Sequence, residues 1–312
     1  MLDIAADNGV AVWFSFRVIL KSPWLNRKEK TSWMLCAPGI LWVVMFLVAP
    51  LFLILRMSFL SRDELGEPGH PLTFENYARF FGFGLLGFEP LYPQILLRTL
   101  WLAGITSVTG LMAALPFSFF IASLPGRWKN VALTLVVIPL WTNLVVRTYA
   151  WQILLGPGGT LTSVARSFGL VGAGEGLYPG NLSVLIGMIC DYLPFLTLPV
   201  YASVEKIDWV LVEAARDLGA RGASLFRHAI FPQILPGLAT GVLLTFIPAL
   251  GQFLIPDLLG GGKTVLLGNV VEQQFGPSGD WPFGSAIAVI TLTLVLAVLY
   301  FRISRSSTRR SS

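Results

Sequence analysis

Residues 205–233 read EKIDWVLVEAARDLGARGASLFRHAIFPQ, a polar island set between two long apolar stretches. In its first half Val212, Ala215 and Leu218 recur every three residues while Glu213, Arg216 and Asp217 stay polar, the pattern of an amphipathic helix. Gly219 then offers a break or a left-handed turn, after which Leu225, Phe226 and Ala229 begin a second apolar stripe. A helix, turn and helix is therefore expected to project from whatever the flanking stretches form. Its small-residue surface, Ala214, Ala215, Gly219 and Ala220, suits a groove on a soluble partner; the plainer use is a loop lying on lipid headgroups.

The flanking stretches are long enough to cross a membrane, and four more like them follow or precede. A hydrocarbon core takes about 20 helical residues. Apolar runs of that length extend approximately over 34–57, 95–124, 131–154, 182–203, 237–259 and 281–301. Only 12% of the 312 residues are charged, against about a quarter in a soluble domain, so most of the surface is expected to face lipid. The expected fold is all-α and polytopic, with six crossings over 34–303, residues 1–33 as an N-terminal segment and 304–312 as a tail. Within 1–33 the run Val10–Leu20 is too short to span and is fit to lie along the membrane surface. The long charged lead before the first crossing and the lack of a small-residue site after it argue against a cleavable signal peptide.

Lysine and arginine set the orientation. With the N-terminus inside, the cytoplasmic side receives fifteen of them, among them Arg27, Lys28, Arg127, Lys129, Lys206, Arg216 and Arg221. The other side receives four, Arg62, Arg79, Arg166 and Lys263, beside acids such as Asp63, Glu64 and Glu67. Both termini are therefore expected in the cytoplasm. The net charge of +5 is spread over separate loops instead of one patch, which excludes a nucleic-acid face.

Prolines inside the crossings, Pro139, Pro194, Pro199 and Pro248 among them, are expected to bend the helices. Gly237-x-x-x-Gly241 suits close approach of another helix. Cys36 and Cys190 both fall in apolar runs and read as packing residues, without metal-ligand spacing. Gly261-Gly262-Lys263-Thr264 looks like the end of a phosphate-binding loop, but that pattern requires glycine where Asp257 stands. His70 and His228 have no evident catalytic partner. A secondary transporter would more often show an inverted repeat, and none is visible. Asp191 is the deepest acid. It suits a cationic substrate beside the aromatic faces of Trp141, Tyr149 and Trp151, with Tyr192 and Asn143 nearby in sequence. It equally suits a structural pair with Arg147 or Arg98, and Arg147 is itself placed to anchor at the interface.

Glu213, Ala214, Ala215 and Gly219, followed by Pro232, resemble the EAA loop of type I ABC importer permeases, although Ala229 and Phe231 stand where larger aliphatics are common. The similarity runs over about 34–305 and is closest to permeases of the spermidine and putrescine transport family. It is carried by WTNLVVRTYAW (141–151), DYLPFLTLP (191–199), LLGGGKTVLLGNV (258–270) and DWPFG (280–284). The resemblance implies a type I permease fold in an inner membrane, with Glu213, Ala214, Ala215, Asp217, Gly219 and Pro232 coupling it to a cytoplasmic ATPase dimer. It also implies a second permease subunit, an extracytoplasmic binding protein, surrounding lipid, and ATP with magnesium held by the ATPase, this chain binding no cofactor or metal. Opines, phosphonates or ferric iron are the alternative cargoes, and a membrane anchor without transport is the alternative role.

Overall fold

The computed structural model describes residues 36–62, 68–84, 87–172 and 174–308. The run Val10–Leu20, the acids Asp63, Glu64 and Glu67, and the basic Arg27, Lys28, Arg309 and Arg310 lie outside the described residues. Helix α1 (Cys36–Met57) contains a π turn at Val44–Val48. Two small antiparallel pairs follow, β1 (Leu60–Arg62) with β2 (Pro68–Leu72) and, beyond helix α2 (Glu75–Phe80), β3 (Phe83–Gly84) with β4 (Gly87–Phe88). These hairpins are the exception to an otherwise helical chain, and they sit in the first connection, not in a crossing.

Next come α3 (Leu91–Ser123), α4 (Gly126–Trp141), α5 (Leu144–Leu155), α6 (Thr160–Ser167) and α7 (Asn181–Val204). Then follow α8 (Trp209–Asp217), α9 (Ala223–Leu250, with a π turn at Phe226–Ile230), α10 (Leu254–Gly260), α11 (Leu267–Phe275) and α12 (Trp281–Thr308). Among the described residues α1, α3, α7, α9 and α12 are each long and apolar enough to cross a membrane, and the bent pair of α4 with α5 and α6 meets the same criterion taken together, for up to six crossings.

The bend expected at Pro139 is present and amounts to a full break: the chain turns by 98° between Trp141 and Leu144, and helix extends on both sides of the expected 131–154. The cause is local. Pro139 weakens the last turn of α4, and Thr142 and Asn143 are both extended. The Asn143 side chain then accepts from the amide of Val145 at 2.8 Å and starts α5 as its N-cap. The carbonyl freed at Pro139 accepts from the Thr142 hydroxyl at 2.7 Å and from Arg147, so the break carries its own hydrogen bonds into an apolar setting.

The fifth crossing also differs from the expected 237–259. It begins at Ala223, inside the polar loop, and stops at Leu250. Gln252 then accepts from the amides of Phe253 and Leu254 and starts the separate helix α10. The packed centre is α3, α7 and α9, which touch one another more than any other elements do. Gly237 and Gly241 of α9 face α7, at Pro199, Ser203 and Leu196. Lipid gives helices no hydrophobic drive to associate, so close packing across small residues of this kind does that work.

Candidate functional site

The loop after α7 is built from its caps. Asp208 accepts from the amide of Val210 at 3.0 Å and opens α8, while its own backbone N–H donates to Gln233 Oε1 at 2.8 Å. The start of α8 is thus tied to the helix that follows. Val212 is buried against Val200, Val204, Ile207, Leu225, Ile234 and Leu238, with Ala215 packed alongside. At the far end the amides of Gly219 and Ala220 donate to the carbonyls of Arg216 and Ala215, and Gly219 adopts φ +89°. This left-handed closure is the turn read from the glycine. Leu218 does not continue the buried stripe: α8 ends at Asp217, and Leu218, at the cap, is 89% exposed. Phe226 and Ala229 pack beside buried Leu225, as the second stripe requires. Pro232 lies two residues past the π turn, where its missing N–H interrupts the regular ladder.

What α8 leaves uncovered is informative. Trp209, Val210, Leu211 and Leu218 are exposed apolar side chains, interspersed with exposed Glu213, Ala214, Arg216 and Asp217. At the base of the loop Glu205 pairs with Lys129 of α4 at 3.0 Å. Asp208, Gln233 and Glu205 were not singled out from the sequence, and Lys129 entered only as an orientation charge; of the first three only Asp208 carried a signal, an N-cap residue ahead of an apolar run.

The residues considered for a substrate divide into two groups. Trp141 and Tyr149 are exposed on α4 and α5, and Asn143 caps the break between them. Asp191 and Tyr192 are buried on α7, and Trp151 packs against the cluster that contains Tyr192. Arg147 donates to the carboxylate of Asp191, to the carbonyl of Pro139 and to Thr142 Oγ1, bridging the break to α7. Tyr192 accepts from Gln252 Nε2 at 3.3 Å. The Gly261–Thr264 segment closes α10: Gly261 lies against Pro179, and the Thr264 hydroxyl meets Asn181 Oδ1. The carbonyl of Leu259 accepts from the Gly180 amide and the Ser183 hydroxyl, so this turn is fastened to the start of α7.

At the end of the bundle away from the α8 loop, Asp280 is buried below two half-exposed arginines. Arg79 of α2 donates to it at 2.8 Å, Arg62 stands at 3.7 Å, and its other oxygen accepts from the Phe283 amide to start α12. The Arg79 guanidinium also lies 4.0 Å over the Phe283 ring. The DWPFG stretch is accordingly the joint between the first connection and the last crossing.

Residues 107–312 match the family described as binding-protein-dependent transport system inner membrane component. The chain is 38% identical over 260 residues to the spermidine/putrescine transport system permease protein PotB of Haemophilus influenzae, covering 83% of this chain and 88% of that one. It is also 38% identical over 267 residues to PotB of Escherichia coli K12, with 85% and 94% covered. Among solved structures, a bacterial alginate ABC transporter bound to its alginate-loaded periplasmic protein superposes with a TM-score of 0.67 at 17% identity, over 91% of this chain and 98% of that one. With five or six apolar crossings, a capped helix projecting from between α7 and α9, and this kinship, the chain belongs to the inner membrane components of binding-protein-dependent transport systems, as a multi-pass permease for which a separate subunit hydrolyses ATP.

Proposed function

We propose that this permease imports polyamines, putrescine or spermidine, across the inner membrane. One observation carries the substrate: identity of 38% to spermidine/putrescine permeases over more than four fifths of the chain. The partners follow from that kinship: a dimer of cytoplasmic ATPase subunits carrying ATP and magnesium, a distinct second permease chain, and an extracytoplasmic binding protein. The permease domain spans 34–303, with both termini in the cytoplasm.

Coupling is assigned to Glu213, Ala214, Ala215, Asp217, Gly219 and Pro232. The support is the exposed apolar face of α8, which no element of this chain covers among the described residues, together with the hydrogen bond from the Asp208 amide to Gln233 that ties its start to α9 and the packing of Val212 against Val200 and Val204 of α7. Closure of the ATPase dimer against α8 would therefore reach the two central crossings directly. The substrate path is assigned to the surface around the α4–α5 break, where Trp141, Asn143 and Tyr149 are exposed, with Asp191, Tyr192 and Trp151 in the structure beneath it.

The test is ATP hydrolysis by the complete importer in proteoliposomes as loaded binding protein is supplied. Putrescine or spermidine should stimulate it, and opines should not. Stimulation by an uncharged or anionic solute alone would overturn the polyamine assignment. Unchanged uptake in both Glu213→Ala and Gly219→Ala would overturn the coupling assignment.

A further inference from the structure

A cavity of about 410 Å³ lies between the end of α9, α11 and α12, within the size range of small-ligand sites. Its wall is apolar, formed by Leu250, Phe253, Leu267, Val271 and Ala288, and Glu272 is the one charged residue that lines it. Gly268, Val271 and Glu272 share a face of α11 by their three- and four-residue spacing. Among the described residues the Glu272 carboxylate has no ion pair or hydrogen bond, and no lysine or arginine lines the cavity.

The backbone that carries the aromatic wall is held in place by side chains on both sides. Gln252 Oε1 accepts from the Phe253 amide at 3.1 Å, and Asn269 Nδ2 donates to the Phe253 carbonyl at 2.8 Å. The same Gln252 reaches Tyr192 through its Nε2, so the cavity connects by one side chain to the buried layer that holds Asp191. In the orientation assigned above, α11 belongs to the outer end of the molecule.

We propose that this cavity is an outer subsite for one ammonium end of an alkyl polyamine, with Glu272 as counter-ion, Phe253 as the cation-facing ring and the aliphatic wall receiving the methylene chain. A free carboxylate beside an apolar surface matches a molecule that alternates ammonium groups with methylenes. A purely hydrophobic occupant would leave the carboxylate without use. The inference rests on the polyamine reading. It adds a station where cargo released by the binding protein is held before it moves inward.

The experiment uses the complete importer in proteoliposomes with saturating loaded binding protein, and reads labelled putrescine uptake together with ATP hydrolysis. Glu272→Gln should lower uptake about tenfold, the scale of a lost charge-assisted contact, while stimulated hydrolysis stays within about twofold. More ATP is then spent per molecule imported. Glu272→Asp should recover most of the uptake, and Phe253→Leu should lower it in the same selective way, which keeps the test valid if the glutamine variant fails to insert. Proportional loss of uptake and hydrolysis, or unchanged uptake in both Glu272→Gln and Phe253→Leu, would overturn the subsite while leaving polyamine import standing. Absence of polyamine uptake by the unsubstituted importer would overturn both.

Discussion

A β-carbon at Gly237 would stand 2.1 Å from Ser203 Oγ and 2.5 Å from the carbonyl oxygen of Pro199. The hydroxyl can rotate away, but the carbonyl belongs to the backbone of α7. Gly237→Ala should therefore push α9 off α7 and destabilise the protein by about 1–3 kcal/mol, the range for overpacking. Adding Ser203→Ala should restore only part of the loss. Gly110→Ala should be milder, because its β-carbon would meet only the terminal Cδ1 of Leu196, which can change rotamer. The temperature at which the purified protein aggregates checks the order; a Gly110→Ala protein less stable than Gly237→Ala would contradict it. Gly219 poses a different constraint. Nothing lies within 4 Å of its would-be β-carbon, so the cost of Gly219→Ala is the φ of +89° alone, about 1–2 kcal/mol. That should loosen the end of α8 without harming insertion, lowering ATP hydrolysis stimulated by loaded binding protein while the amount of protein in the membrane stays constant.

At the scale of elements, two ion pairs fasten α4 and α5 to α7 and the residue that follows it. Lys129 meets Glu205 at the loop end, and Arg147 meets Asp191 beside the break. The second pair is largely buried, so removing one partner leaves a charge without compensation. Arg147→Gln or Asp191→Asn alone should each cost up to about 3–5 kcal/mol, and the double substitution less than the sum. Additive losses in thermal stability would show that the two side chains act independently. The exposed pair responds to pH. A hydrogen bond from Tyr201, and then one from Lys129, hold the Glu205 carboxyl below its ordinary value. A depressed carboxylate contributes its stability above the unfolded value of about 4.3 and loses it as pH falls through the lower folded value. The stability difference between the unsubstituted protein and Glu205→Gln should accordingly be constant from pH 7 to about 5 and shrink below that. These joints also explain what the sequence made legible. Crossings announce themselves because a membrane demands some twenty apolar residues in succession, and Gly219 announces a turn because few residues tolerate its φ. At the α4–α5 break Pro139 announced a bend, but its extent was hidden, since it depends on one Asn143 side chain acting as a cap. Glu272 and Phe253 were hidden as well: they are 19 residues apart in sequence and share a cavity only because Gln252 ends the preceding crossing early and Asn269 draws α11 back onto it.

Across the whole molecule, α1 stands apart. None of its membrane window is buried, and its main contact is with α12, so nearly all of its apolar surface is left for lipid or for another subunit. The two ends of the bundle differ in chemistry. One end gathers Lys129, Lys206, Arg216 and Arg221 around the α8 loop, and the 3.0 Å Lys129–Glu205 pair shows that the connection before α4 and the one after α7 lie together. The opposite end joins Arg62, Arg79 and Asp280, and the Lys263 turn is fastened to the start of α7. Positive loops resist export, so the α8 end is assigned to the cytoplasm. In a protein with Cys36 and Cys190 replaced by serine, Lys263→Cys should react with a membrane-impermeant maleimide added to cells with a permeabilised outer membrane. Arg127→Cys and Lys206→Cys should react only after the inner membrane is opened as well. Labelling of Lys206→Cys with the inner membrane intact, with Lys263→Cys protected, would invert the molecule, placing α8 out of reach of any cytoplasmic ATPase and the Glu272 cavity on the wrong side to receive cargo.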